Sequence, residues 1–325
     1  MTKIEAARQE YKDWCSAIGI DTLEKVNEVV DSGNAIELIN LCEARQERKY
    51  AEAADQIFWR RKSCGIVMMS GPSSSGKTSS SLRIAQQCRV LGITPKVIEL
   101  DNYFKPREET PKDENGEYDF EALGAMNVDL LNENLNDLLA GREVIIPKFD
   151  FKEGRSIMDP SRTMRLESND ILFMEGIHAL NPALTEQIPD SAKFRIFINT
   201  LTGTLLDDHN MIPTSDNRLL RRIVRDYNKG AFTARESISN WQNVLDAEQK
   251  WIYPYQEMSD VMFNSAYLIE FAVLKNHAEP ILRSVPQNCA EYSEAHRLLK
   301  FIHYFTPVPD KEIPATSLLR EFIGG

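Results

Sequence analysis

Ile66-Val67-Met68-Met69-Ser70-Gly71-Pro72-Ser73-Ser74-Ser75-Gly76-Lys77-Thr78 is the stretch whose reading settles the fold. A short apolar run reads as a buried strand and breaks at a glycine-rich turn. Lys77 to Val90 then carries helical periodicity, stopped by Gly92. Gly71 to Thr78 satisfies GxxxxGK[ST] in the strand–loop–helix setting that gives the pattern its physical meaning. The glycines let main-chain N–H groups turn inward around phosphate oxygens, and the helix N-terminus adds partial positive charge. Lys77 suits the β- and γ-phosphates of a triphosphate, and the Thr78 hydroxyl suits Mg²⁺. Gly71, Pro72, Ser73, Ser74, Ser75, Gly76, Lys77 and Thr78 are therefore the candidate ATP-binding residues, with ATP and Mg²⁺ as expected cofactors. The competing reading is a tight glycine turn with no ligand.

Working outward, Val97–Leu100, Ile171–Met174, Phe194–Ile198 and Asp260–Phe263 read as further strands, and Val128–Leu139 and Arg218–Tyr227 as helices. Val144–Ile146 and Thr163–Leu166 can pair as a hairpin around Phe149-Asp150-Phe151. Near-continuous apolar strands alternating with helices predict an α/β fold, a mainly parallel sheet in three layers. Residues 1–62 read as a helical N-terminal segment, with Ala35, Leu38, Ile39 and Cys42 on one stripe. Such a stripe serves simple packing and partner docking equally well.

In a doubly wound sheet, ligands collect at the carboxyl ends of the strands. Asp101 and Glu175 stand there. Phosphoryl transfer needs one carboxylate to take the acceptor hydroxyl's proton and another beside the metal. Asp101 is the candidate base, and Glu175, with Thr78, the candidate metal-side acid; capping of the next helix is the alternative for both. Arg218, Arg221, Arg222 and Arg225 fall on one helical face, suited either to a bound anion or to solvent and the nearby Asp216 and Asp226. Asn228-Lys229-Gly230 is a candidate hinge for a lid over the phosphates.

Other residues read as packing or turns. His178 reads as a core or rim histidine, and Asp207-Asp208-His209 as a turn rather than a metal site. Trp241, Trp251, Tyr253 and Tyr255 read as packing beneath the lid. The net charge of −11 does not suit a nucleic acid or an anionic membrane as partner. Five scattered cysteines without a CxxC pair suggest reduced thiols. The N-terminus shows no apolar leader and no run approaches a membrane span, so a cytoplasmic protein is expected. A guanine-reading Asn-Lys-x-Asp motif is missing, which disfavours a GTPase switch.

Several motifs occur in order: Gly71 to Thr78, Asp101-Asn102-Tyr103-Phe104, Tyr118-Asp119-Phe120, Ile146 to Phe151, Phe173-Met174-Glu175-Gly176 and Arg218 to Asp226. Through them, about residues 63–265 resemble the uridine kinase and phosphoribulokinase family of P-loop kinases. The chain is similar to longer bacterial members, without their N-terminal domain related to threonyl-tRNA synthetase. The resemblance implies a kinase domain over 63–325, with a lid at about 216–258 and a helical extension at about 266–325.

It also implies roles for single residues. Asp101 matches the catalytic base, Asp119 and Arg222 match residues on ribose hydroxyls, and Arg225 matches a lid arginine on ATP. Catalytic candidates are thus Asp101, Lys77, Arg222 and Arg225; acceptor contacts are Asp101, Tyr103, Asp119, Phe149 and Arg222. The family's base-reading groups differ here, with Phe149 for a tyrosine, Lys152-Glu153-Gly154 for a histidine turn, Gly230 and Phe232 for arginines, and Asn240 near a glutamine. The implied activity is phosphoryl transfer from ATP to a small-molecule acceptor: a nucleoside 5′-hydroxyl, or alternatively a sugar phosphate or other polyol. A nucleotide-binding regulator with little turnover is the remaining alternative. A homo-oligomer is expected.

Overall fold

The computed structural model describes residues 1–112, 116–150, 152–206 and 210–325. Phe151 and the Asp207-Asp208-His209 turn lie outside the described residues. Three helices open the chain: α1 (Lys3–Ala17), α2 (Leu23–Asp31) and α3 (Ala35–Arg60). Next come β1 (Ile66–Ser70), α4 (Lys77–Val90), β2 (Thr94–Glu99) and α5 (Val128–Leu139). Four short strands follow, β3 (Val144–Ile145), β4 (Lys148–Asp150), β5 (Arg155–Ile157) and β6 (Thr163–Met164). After β7 (Asp170–Glu175) and β8 (Lys193–Asn199) come α6 (Thr214–Asn228), α7 (Ala234–Ser239), α8 (Trp241–Trp251) and β9 (Val261–Asn264). The chain closes with α9 (Glu270–Arg283), α10 (Tyr292–His303) and α11 (Arg320–Ile323).

The main sheet runs β2-β7-β1-β8-β9, parallel throughout. Its strands are continuous apolar runs because both faces are covered. Along β1, Ile66 and Met68 join a core with Leu131, Leu135 and Leu138 of α5. Val67 and Met69 face the other way, into a core with Ile84 and Cys88 of α4 and with Tyr50, Ala54 and Ile57 of α3. The expected α/β architecture is therefore the one observed. β3 pairs with β6 as anticipated, and β4 with β5 form an additional small hairpin carrying Phe149.

A third core is built mainly from helices. It joins Tyr11, Cys15, Val26, Leu38, Ile39 and Cys42 to α6, α9, α10 and the C-terminal residues Leu318, Leu319 and Phe322. Leu219, Leu220, Ile223 and Val224 bury α6 in it. The arginine-bearing helix is thus anchored in this core along its apolar face. No helix among the described residues is long and apolar enough to cross a membrane.

Candidate active site

The turn after β1 is tight because the chain passes close to β8. A Cβ on Gly71 would lie 2.0 Å from the Ile198 carbonyl oxygen, so only glycine fits. Ser74 (φ +58) and Gly76 (φ +82) take left-handed conformations that curl the loop before α4 begins at Lys77. Arg218 and Arg221 hold this loop from outside, donating to the Ser73 and Ser74 carbonyls at 3.1 and 3.3 Å. Lys77 Nζ donates to Gly71 O at 2.9 Å and Pro72 O at 3.0 Å. Burial pushes the lysine's pKa down, against Glu175, Glu248 and Glu321, which favour its charged form.

The acids gather where the sheet topology brings strand ends together. β2 and β7 are neighbours, and so are β7 and β1. Asp101 leaves β2 on a 3-10 turn, Leu100–Tyr103, and lines the cleft. Glu175, at the end of β7, accepts from Thr78 Oγ1 at 3.0 Å. Desolvation raises both carboxyls, Lys77 opposing it in each case. A threonine hydroxyl and a carboxylate are hard oxygen donors that fit Mg²⁺. Among the described residues no group of three His, Cys, Asp or Glu side chains could hold a metal ion, so Thr78 and Glu175 would share a Mg²⁺ with phosphate oxygens.

The four arginines separate into two pairs. Arg221 is fully buried against Glu270, with Nη2 2.8 Å from Oε2 and 2.9 Å from Ser265 O. Arg218 pairs with buried Glu248 at 2.6 Å and lies over the Trp241 ring. Both are structural, which corrects the reading of a single anion-binding face. Arg222 and Arg225 turn inward, gripping Asp226 from both sides, and Arg222 also donates to Ser73 Oγ at 3.0 Å. With Lys77, Ser73, Ser74 and Glu121 they line a cavity of about 150 Å³.

A second cavity of about 410 Å³ adjoins the first at Glu121 and Ile177. Asp101, Lys105, Arg107, Phe104, Phe120 and Phe149 complete its wall. Phe104 and Phe149 meet edge to face with centroids 5.6 Å apart. The turn carrying Asp101 is tied to β4, since Asn102 Oδ1 accepts from Phe149 N at 3.2 Å.

Two sequence assignments do not fit this geometry. Tyr103 is fully buried and its hydroxyl accepts from Asn134, so it faces the core rather than the cleft. Asp119 lines neither cavity; its Oδ1 accepts from Glu121 N at 3.1 Å, and its Oδ2 lies 4.0 Å from Lys250 Nζ. Glu121 occupies the cleft instead, its carboxyl raised by desolvation and by Asp101, with Arg222 opposing. Buried His178 fixes that segment through a 2.9 Å hydrogen bond to the Glu121 carbonyl, and Trp251 packs edge-on against the imidazole. The histidine is therefore a positioning residue.

Residues 66–268 match the model of the Phosphoribulokinase / Uridine kinase family. The uridine kinase of Streptococcus agalactiae is 29% identical over 204 residues, 62% of this chain and 87% of that one. The uridine kinase of Mycoplasma pneumoniae is 26% identical over 228 residues, 66% of this chain and 96% of that one. Among solved structures, a possible uridine kinase from Bacillus stearothermophilus superposes with a TM-score of 0.42 at 18% identity, covering 66% of this chain and 98% of that one. The D-glycerate 3-kinase of Cryptococcus neoformans gives 0.43 at 12%, covering 67% and 92%. The chain belongs to the phosphoribulokinase and uridine kinase family and is an ATP-dependent kinase.

Proposed function

We propose that the protein transfers the γ-phosphate of Mg-ATP to a hydroxyl of a nucleoside-like acceptor. The observation that carries this reading is the pair of adjoining cavities, one around Lys77, Arg222 and Arg225, the other floored by Asp101 and walled by three phenylalanines. Phe104, Phe120 and Phe149 suit a flat base; Glu121, in place of Asp119, suits a ribose diol. Asp101 takes the acceptor's proton as its oxygen bonds to phosphorus, while the bond from phosphorus to the departing ADP oxygen breaks. Lys77, Arg222 and Arg225 neutralise charge on the transferred group. Thr78 and Glu175 would hold a Mg²⁺ ion, which would supply neutralisation of the donor's charge. Free thiols suit a reducing cytoplasm.

Lys105 and Arg107 on the same wall favour a second reading, an acceptor bearing an anionic group such as a sugar phosphate. One experiment separates the two: a panel of nucleosides, sugar phosphates and polyols in a coupled ADP-release assay. Turnover of nucleosides supports the first reading, and turnover restricted to anionic acceptors replaces it with the second.

A further inference from the structure

Two main-chain donors, one in the cradle and one just after it, already face carboxylates. Ser73 N–H donates to Glu248 Oε1 at 2.7 Å, and Ser79 N–H, on the first turn of α4, donates to Glu321 Oε2 at 3.1 Å. Glu248 is balanced by Arg218. Glu321 has no ion-pair partner among the described residues. Its charge is nevertheless felt in the site, where it favours the charged form of Lys77 and raises the Glu175 carboxyl.

The carboxylate is held there by buried structure. Leu318 sits against the phosphate loop, so that a Cβ on Gly76 would lie 2.8 Å from Leu318 Cδ1. Asn228 Nδ2 donates to Phe322 O at 3.1 Å and Ile323 O at 3.3 Å, and the Arg221 guanidinium lies 4.7 Å from the Phe322 ring centre. Leu318, Leu319 and Phe322 are core residues. A fixed anion at this helix N-terminus takes both the N–H and the positive end of the dipole that a phosphate uses.

We infer that Glu321 sets the affinity of the site for its phosphate donor: its carboxylate competes with the nucleotide's phosphates for Ser79 N–H and repels them. The inference rests on Gly71–Thr78 being the donor's phosphate cradle. Glu321 takes no part in the chemical step; it keeps the cradle's grip on nucleotide weak.

Calorimetric titration of the 325-residue chain with Mg-ADP, and separately with magnesium tripolyphosphate, tests this. Glu321→Ala binds both probes about 3- to 10-fold more tightly than wild type, and the gap narrows as salt is added. Glu321→Gln, which keeps the side chain's shape and a hydrogen-bond acceptor, shifts both affinities in the same direction and decides the matter if the alanine variant does not fold. Unchanged or weaker binding in a folded variant overturns the inference, as does tightening seen with Mg-ADP but not with tripolyphosphate. A wild-type chain that binds neither probe overturns the cradle assignment as well. Normal acceptor turnover with no tightening in either variant overturns this inference alone.

Discussion

Asp101 is held in a place that disfavours its charge, and this separates its proposed catalytic role from its effect on stability. Asp101→Asn lowers kcat by about 10²- to 10⁴-fold in the ADP-release assay, with Mg-ADP affinity little changed. Because desolvation raises the Asp101 carboxyl, kcat/KM of the wild type rises with pH through a value above the ordinary aspartate range. The Asn variant's residual rate loses that limb. The stability effect has the opposite sense to the usual aspartate. A pKa raised on folding contributes stability below the unfolded value and loses it as pH rises through the folded value. At neutral pH, Asp101→Asn therefore raises the melting temperature, a calorimetric readout independent of turnover.

The same scale shows where residue patterns stop informing. Asp119 and Glu121 flank Phe120, and nothing in that spacing says which enters the cleft. The choice is made by His178, more than 50 residues on, and by the Glu121 N–H that takes up Asp119 Oδ1. Tyr103 misled for a similar reason: the 3-10 turn that points Asp101 at the cleft points the tyrosine at Asn134.

Among the elements, β1 and α4 were legible because a strand run, a glycine turn and a helical period leave one arrangement open. The roles of the α6 arginines were not. Their 3-1-3 spacing defines a face, but the acids that claim Arg218 and Arg221 come from α8 and α9. Breaking one partner of a buried pair leaves an uncompensated charge. Glu270→Gln accordingly destabilises the fold by about 3–5 kcal/mol in urea unfolding. The double change Arg221→Met with Glu270→Leu recovers much of that loss. The glycine turn is equally intolerant at Gly71, where Ala would meet the Ile198 carbonyl. Gly71→Ala either fails to accumulate as folded protein or loses nucleotide binding, judged by circular dichroism and Mg-ADP titration.

For the whole molecule, the first three helices belong to the same packing as the site's support. Tyr11, Cys15 and Val26 are buried in the core that also holds α6 and α9. Removing residues 1–31 uncovers that apolar surface, and the shortened chain is expected to aggregate or melt early, as read by size-exclusion chromatography and thermal circular dichroism. The amphipathic stripe at Leu38, Ile39 and Cys42 was visible in the sequence, whereas its partners, supplied mainly from beyond residue 212, were not.

One helix crosses from that helical core to the sheet. Over about 39 Å, α3 buries Leu38, Ile39 and Cys42 at one end and Tyr50, Ala54 and Ile57 at the other. Between them, Gln46 Nε2 donates to the carbonyls of Asn264 and Ala266 just where β9 leaves the sheet. Neither half can melt without stripping one end of this shared rod. Amide protons deep in β1 and in α9 should therefore exchange through a single global opening, like two floors hung from one girder.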